Sequence, residues 1–446
     1  MAADGRIIEQ NGEKDMKQKR LIVVSYDAMV YEDLEQLVTQ PCFGKLWNEG
    51  SRVNRMRTVY PSLTYPSHVS ILTGANPGRH GIVNNEPSIP GNLKCDWYWF
   101  HQPVKIRDLH DMAKAAGMTT ASVVWPVSGA HPSIDYLVAE YWAQGKGDTL
   151  EAAYKRAGTS DELFEKLVTP LIPQLDSWDS PKTDEGKILL ACDIIKTYKP
   201  NLLTLHLGQV DYYRHRYGIF NDKVAHGAYQ SERFLQMLMD ACKEAGVYDE
   251  TNFVVVSDHG QINYSRKMNL NALFVQEGLI RVDEEGKFVD WDAWVKSANF
   301  SAQIYLKNPE DKELYDRVYG LLKKWRDAGD MGIGHVWTTE ETREKDGLYG
   351  DFSFVVESDN ETLFFSKWNE PVFSPMEPLE EGYLRASHGH HPTVGPQPVF
   401  LAYGPDVKPG VVLETGLVID EAPTFARMLG LELPDAEGHP IEEILY

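Results

Sequence analysis

Leu21-Ile22-Val23-Val24-Ser25-Tyr26-Asp27 is the stretch on which the fold turns. A short, unbroken apolar run without polar alternation is what a strand covered on both faces requires. The run stops at an aspartate, which places Asp27 at the carboxyl end of a strand. Two later runs repeat this arrangement. Leu202-Leu203-Thr204-Leu205-His206-Leu207 leads into Gly208-Gln209-Val210-Asp211, and Phe253-Val254-Val255-Val256-Ser257 leads into Asp258-His259-Gly260.

Helical periodicity fills the intervals, at about 31–47, 105–116 (closed by Gly117), 184–198 and 222–245. Further strands are expected at 119–124 and 398–403, and a last helix near 420–429. Strands alternating with helices predict an α/β fold with a mainly parallel central sheet flanked by helices. From 265 to 385 the pattern weakens into short strands at 302–306 and 352–356 and a helix at 311–325, which reads as an inserted, smaller α+β cap subdomain. The expected organisation is a polar tail over 1–20, a catalytic core over 21–264 and 386–446, and the cap over 265–385.

The 446 residues carry 66 acidic against 44 basic side chains, a net charge of -22 that opposes binding to nucleic-acid polymers or anionic membranes. Any phosphate ligand therefore needs local cations. Cys42, Cys95, Cys192 and Cys242 form no CxxC pair, so neither a disulfide framework nor a thiolate zinc site is indicated. There is no apolar run of ~18 residues, and residues 1–20 lack the apolar core of a signal peptide. The expectation is a cytoplasmic setting and no membrane partner; oligomeric state is not legible.

In a mainly parallel sheet, ligands gather at the carboxyl ends of the strands, so Asp27, Asp211 and Asp258 should converge. Three carboxylates meeting without cations would repel one another, and bound metals resolve the conflict. His215 follows Asp211 by one helical turn, His259 adjoins Asp258, and His388 lies in the Gly-flanked run Ser387-His388-Gly389-His390-His391. Mixed Asp/His ligation without thiolate suits zinc or manganese. Singly, each residue has a plainer reading as a helix cap, a turn former or a packed histidine. Their shared placement favours ligation.

A second stretch, Val59-Tyr60-Pro61-Ser62-Leu63-Thr64-Tyr65-Pro66-Ser67-His68-Val69-Ser70-Ile71-Leu72-Thr73-Gly74, pins a hydroxyl between two prolines. The prolines predict a stiff loop over 60–65 and a helix beginning near Ser67. Thr64 is a candidate displayed nucleophile, although an ordinary capped loop would look the same.

Taken in order, Asp27, Thr64, Thr73-Gly74, His80-Gly81-Ile82-Val83-Asn84-Asn85, Asp211-x-x-x-His215, Asp258-His259-Gly260 and Ser387-His388-Gly389 resemble the alkaline phosphatase superfamily, and within it the nucleotide pyrophosphatase/phosphodiesterase branch. The resemblance runs from about 21 to 429 and is weak through the inserted region. It implies that Asp27, Asp258 and His259 ligate one divalent metal, with Thr64 as its nucleophile, and that Asp211, His215 and His388 ligate a second. It implies that Asn85 steadies the phosphoryl oxygens, with Asn84 as the alternative, and that Tyr65 lines a base slot. Trp97-Tyr98-Trp99-Phe100 falls where that branch places part of its leaving-group pocket. For Asn85 the plainer reading is a turn, and for the aromatics it is core packing. His206, His390 and His391 are left as supporting or surface residues.

A threonine hydroxyl is a poor nucleophile at neutral pH, and coordination to a dication activates it. The expected activity is a dimetal phosphodiesterase or nucleotide pyrophosphatase, with two zinc or manganese ions and a phospho-threonine intermediate, acting on a small soluble phosphoester. The alternatives are a phosphomonoesterase or phosphonate hydrolase, and a catalytically inactive metal- or phosphate-binding protein. A sulfatase is disfavoured, because threonine cannot give the formylglycine that such enzymes need.

Overall fold

The computed structural model describes residues 19–177 and 180–446. The central sheet is built from β1 (Arg20–Tyr26), β2 (Ser51–Arg57), β3 (Thr120–Val123), β4 (Tyr136–Val138), β5 (Leu202–Leu207) and β6 (Thr251–Val256). The segment that follows supplies β7 (Ala293–Ala298), β8 (Ser301–Leu306), β9 (Ile333–Thr338) and β10 (Phe354–Ser358), after which β11 (Phe400–Tyr403) and β12 (Val412–Leu417) return to the centre. The central order is β12-β2-β11-β6-β1-β5-β3-β4. Only β11 runs antiparallel to its neighbours, so the sheet is mainly parallel, as the buried strand runs predict.

β1 lies in the middle, and its side chains alternate between two cores. Ile22, Val24 and Tyr26 enter one, together with α1 (Tyr31–Leu37), α2 (Pro41–Glu49), α5 (Ser180–Tyr198) and α7 (Asp222–Ala245). Leu21 and Val23 enter the other, with α3 (Thr64–Thr73), α4 (Leu109–Ala115) and α9 (Glu421–Leu429). A period of two along a strand splits its residues in this way between the layers above and below. α6 (Gln209–Tyr217) follows β5 directly, and α8 (Lys312–Ala328) packs in a separate apolar cluster with β7–β10.

Several boundaries differ from expectation for local reasons. The helix expected over 31–47 is two helices, because Pro41 lacks an N–H and opens α2 as its first residue instead of continuing α1. α3 begins at Thr64 rather than near Ser67, since Pro66 falls in the first turn, where no internal N–H donor is needed. α4 begins at Leu109 behind the cap Asp108, which accepts a hydrogen bond from Asp111 N, rather than at 105. At the chain start, Arg20 already belongs to β1, and residues 1–18 of the expected tail lie outside the described residues.

The segment between β6 and β11 forms the antiparallel sheet β7-β8-β10-β9. Its two ends are tied together where Ala386–Ser387 pairs with Ile262–Asn263. All four cysteines are buried and free. Among the described residues no helix is long and apolar enough to cross a membrane.

Candidate metal centre

Parallel strands deliver the acidic residues to one place. Asp27 follows β1, Asp258 follows β6, and Asp211 sits in the first turn of α6 after β5. β1 pairs with both β5 and β6, so the three carboxylates emerge side by side. Asp258 Oδ1 accepts a hydrogen bond from Ala28 N (3.1 Å), and Asp27 Oδ2 accepts one from His206 Nε2 (3.1 Å). Asp27 Oδ1 and Asp258 Oδ2 are buried without a hydrogen-bond partner among the described residues.

The histidines complete two donor groups. Ligand atoms of Asp211, His215 and His388 lie within 4.8 Å of one another, and so do those of Asp27, Asp211 and His259. Asp211 is common to both. Asp258 joins the second group through its Oδ2, 3.1 Å from His259 Nε2. Hydrogen bonds set the tautomers: His215 Nδ1 donates to Ala386 O (2.9 Å) and His259 Nδ1 to Gly260 O (3.2 Å). Each Nε2 lone pair is thereby left facing the cluster. His388 stacks on His259 with ring centroids 4.2 Å apart, and its Nδ1 is buried without a partner.

Thr64 opens α3, and its Oγ lies 3.2 Å from His259 Nε2. The candidate nucleophile thus stands at the mouth of the donor cluster, at the positive end of a ten-residue helix.

The charge states describe a site short of cations. Burial and the neighbouring Asp258 and Asp211 push Asp27 well above the usual carboxylate range. Burial, with Asp211 adding to it, pushes Asp258 up to about 8, although the Ala28 amide opposes the shift. Asp211 is the exception: burial would raise it, but His215, His388 and His259 together hold it below its ordinary value. Burial keeps His388 down at about 3 and His259 well below its usual value, so both are neutral donors. Partnerless buried carboxyl oxygens facing imidazole nitrogens fit divalent cations, which take the place of the protons that burial otherwise holds on Asp27 and Asp258.

Asn85 and Asn84 part company. Asn85 Oδ1 accepts from Tyr65 N (3.0 Å) beside Thr64. Asn84 Nδ2 donates into the inserted segment, to Ser297 O (3.1 Å) and Gln303 Oε1 (3.2 Å). A cavity of about 500 Å³ opens from Asn85, His215 and His388, with Trp97, Trp294 and Lys296 among its walls. Tyr65 is fully buried under Trp97, which meets it edge-on at 5.3 Å, so Trp97 and not Tyr65 faces this cavity. Tyr98 is not a wall of the cavity and contributes its backbone N–H to Asn85 O (2.9 Å). Trp99 packs in the core against Tyr141 and Trp142.

Sequence reasoning missed His68. Its Nδ1 donates to Thr64 O (2.8 Å) and lies 3.5 Å from Asp258 Oδ2, while its Nε2 accepts from Ser25 Oγ (2.9 Å). The available signal was its spacing, one helical turn after Thr64. His206, left as a supporting residue, is the hydrogen-bond partner of Asp27. Lys296, which pairs with Glu86 at 2.5 Å, carried no signal, because β7 is far from Asn85 in sequence.

With the geometry in place, comparison with known proteins adds the lineage. A sequence profile described as type I phosphodiesterase / nucleotide pyrophosphatase matches residues 21–391. The venom phosphodiesterase of Naja atra is 26% identical over 254 residues, which is 54% of this chain and 26% of that protein. Ectonucleotide pyrophosphatase/phosphodiesterase family member 1 of Homo sapiens is 26% identical over 235 residues, 49% of this chain and 21% of that protein. The matches thus span about a quarter of the length of these curated relatives. Among solved structures, inactive murine ectonucleotide pyrophosphatase/phosphodiesterase 5 in complex with AMP superposes with a TM-score of 0.67 at 19% identity, covering 96% of this chain and 100% of that one. The human counterpart gives 0.66 at 18% identity with the same coverage. These likenesses establish a shared α/β fold.

Proposed function

The chain belongs to the type I phosphodiesterase / nucleotide pyrophosphatase family, and from that premise we propose that it is a dimetal hydrolase of small phosphodiesters or pyrophosphates acting through Thr64. The observation that carries the reading is the placement of Thr64 Oγ, 3.2 Å from His259 Nε2 at the junction of two donor groups that share Asp211. Asp27, Asp258 and His259 would hold one metal, and Asp211, His215 and His388 the other. Mixed Asp/His donors favour zinc, with manganese as the alternative. Divalent ions bound there would supply Lewis-acid stabilisation of the phosphoryl oxygens and ease ionisation of a hydroxyl or water.

The residues of the chain do the rest. Thr64 Oγ attacks phosphorus, the new Oγ–P bond replaces the bond to the leaving alcohol, and the alcohol departs with the hydroxyl proton. The positive end of α3 faces the charge that develops at this oxygen. Asn85, whose Oδ1 is held by Tyr65 N, donates its amide to a phosphoryl oxygen in this reading. Water then attacks the phospho-threonine, breaks the Oγ–P bond and restores the hydroxyl. The inserted segment 265–385 acts as the cap, contributing Trp294 and Lys296 to the leaving-group side. Lys296 is neutralised by Glu86, which favours a singly charged diester over a monoester dianion.

Hydrolysis of an aryl nucleotide diester with zinc or manganese added tests the reading. Thr64→Ala should lower kcat by ~10³-fold or more while its metal content, measured by mass spectrometry, stays at the wild-type level. An unchanged rate in that variant would sink the proposal.

A further inference from the structure

We propose that Glu357 is a positioning residue for the reaction centre, holding the segment that leads to Thr64 and the segment that carries His388 in one register through its two carboxyl oxygens. The inference rests on the reading of Thr64 and His388 given above. Glu357 lies in β10, one of the two inner strands of the inserted sheet, and is 3% exposed. Its Oε2 accepts from the Tyr60 hydroxyl at 2.6 Å, and its Oε1 accepts from His391 N at 2.7 Å. Tyr60 precedes the nucleophile by four residues, and His391 follows the candidate ligand by three. One side chain of the inserted segment thus bridges both.

The surrounding contacts make the bridge the centre of a three-way joint. Gly389 N donates to Ser62 O (2.8 Å), and Ser62 Oγ donates to His390 O (2.8 Å), which stitches the two segments to each other. Ser301, the cross-strand partner of Glu357, donates its hydroxyl to Gly389 O (2.7 Å). Tyr60 and His391 also pack ring to ring at 5.1 Å. Neither segment has secondary structure of its own at these points, so their spacing depends on these bonds. Burial pushes the Glu357 carboxyl up to about 8, against the pull of the hydrogen bonds it accepts from the Tyr60 hydroxyl and His391 N. Glutamine keeps both contacts, its carbonyl oxygen accepting from His391 N and its amide donating to a Tyr60 hydroxyl that has rotated to accept; alanine leaves the Tyr60 hydroxyl and His391 N unpaired.

The test compares Glu357→Ala, Glu357→Gln and Tyr60→Phe with wild type on an aryl phosphodiester at saturating manganese. Glu357→Ala should lose about 10- to 100-fold in kcat, as misplacement of reacting groups by about 1 Å does, with KM moving less than about threefold. Glu357→Gln should recover to within about threefold of wild type, and Tyr60→Phe should fall between them, because it breaks one arm of the bridge. Amide hydrogen exchange should quicken at 60–63 and 388–391 in Glu357→Ala and not in Glu357→Gln, a readout that needs no turnover. A folded Glu357→Ala protein with wild-type kcat and unchanged exchange overturns the inference, and so does a Glu357→Gln protein as impaired as Glu357→Ala. If Glu357→Ala does not fold, Tyr60→Phe decides alone, and wild-type kcat with wild-type exchange there overturns it. Absence of turnover in wild type would instead count against the function proposed above, leaving the exchange result to judge the bridge.

Discussion

His101, Asp111 and His131 bring three ligand atoms within 4.8 Å, yet their hydrogen bonds mark a structural network and not a metal site. His131 Nε2 donates to Asp108 Oδ2 (3.0 Å) while its Nδ1 accepts from Ser133 N (3.0 Å), so no lone pair is left for a cation. Both Asp111 oxygens are engaged as well, one by Ser133 Oγ and the other by Asp108 N. His388 Nδ1, Asp27 Oδ1 and Asp258 Oδ2 have no such partners among the described residues, and that difference separates the candidate ligand set from a packed cluster. The His131–Asp108 pair has a predictable pH signature. Burial opposes the charge on His131, but Asp108 outweighs it and raises the imidazole above its ordinary 6.5; protonation then turns Nδ1 into a donor and costs the bond it accepts from Ser133 N. Burial likewise opposes ionisation of Asp108, but His131 and His110 hold it below its ordinary 3.8. The histidine contribution is complete below about pH 6.5 and fades as pH rises past that value, while the aspartate contribution is complete above about pH 4 and fades on acidification. His131→Gln should therefore cost about 3 kcal/mol near pH 5.5 and clearly less at pH 8.5, read from urea midpoints at the two pH values. Equal losses at both would refute the assignment.

At the scale of elements, the segment 387–391 is wedged between the loop that leads to Thr64 and the inserted strands, and Gly389 shows how tightly. Its φ is +88°, and a Cβ there would lie 1.8 Å from Ala298 O. Gly389→Ala should destabilise the protein by about 3 kcal/mol and weaken metal binding through His388, checked by thermal unfolding and a zinc titration. A variant with wild-type melting temperature and affinity would contradict this packing. The same comparison shows what was legible in the sequence. β1, β5 and β6 announce themselves because strands buried on both faces need unbroken apolar runs, and Asp27, Asp211 and Asp258 follow from where those runs end. α7 was legible to the residue, since its apolar stripe and the closing Gly246 are local signals. Bonds across the fold were not legible. Nothing local in Glu357 announces Tyr60, 297 positions away, and His68 looks like any histidine one turn into a helix until Ser25 and Asp258 arrive beside it. Tyr65 reads as a substrate contact in the sequence because it follows Thr64, but the first turn of α3 directs it inward beneath Trp97.

Across the whole molecule, the sheet order has an energetic consequence. Placing β1 between β5 and β6 forces three carboxylates together in a chain already at -22, and without cations that arrangement opposes folding. In the metal-free fold Asp27 and Asp258 respond by retaining protons, Asp258 up to about pH 8. A carboxyl whose folded pKa is raised favours folding less and less as pH climbs from the ordinary carboxylate range to the raised value. Divalent metal must displace those protons to bind, so its affinity should increase over the same interval, whereas His259 and His388 are already neutral and compete little. Zinc or manganese at about 100 times its dissociation constant should then add ~2.7 kcal/mol per site to stability. The gap in melting temperature between metal-loaded and chelator-treated protein should widen from pH 6 to pH 8, because the treated form loses stability on the way while the loaded form does not. Differential scanning calorimetry at both pH values checks this, with Thr64→Ala as a variant that keeps all six Asp and His donors. A gap that is absent, or that narrows with rising pH, would mean that the three aspartates are stabilised by something other than bound metal.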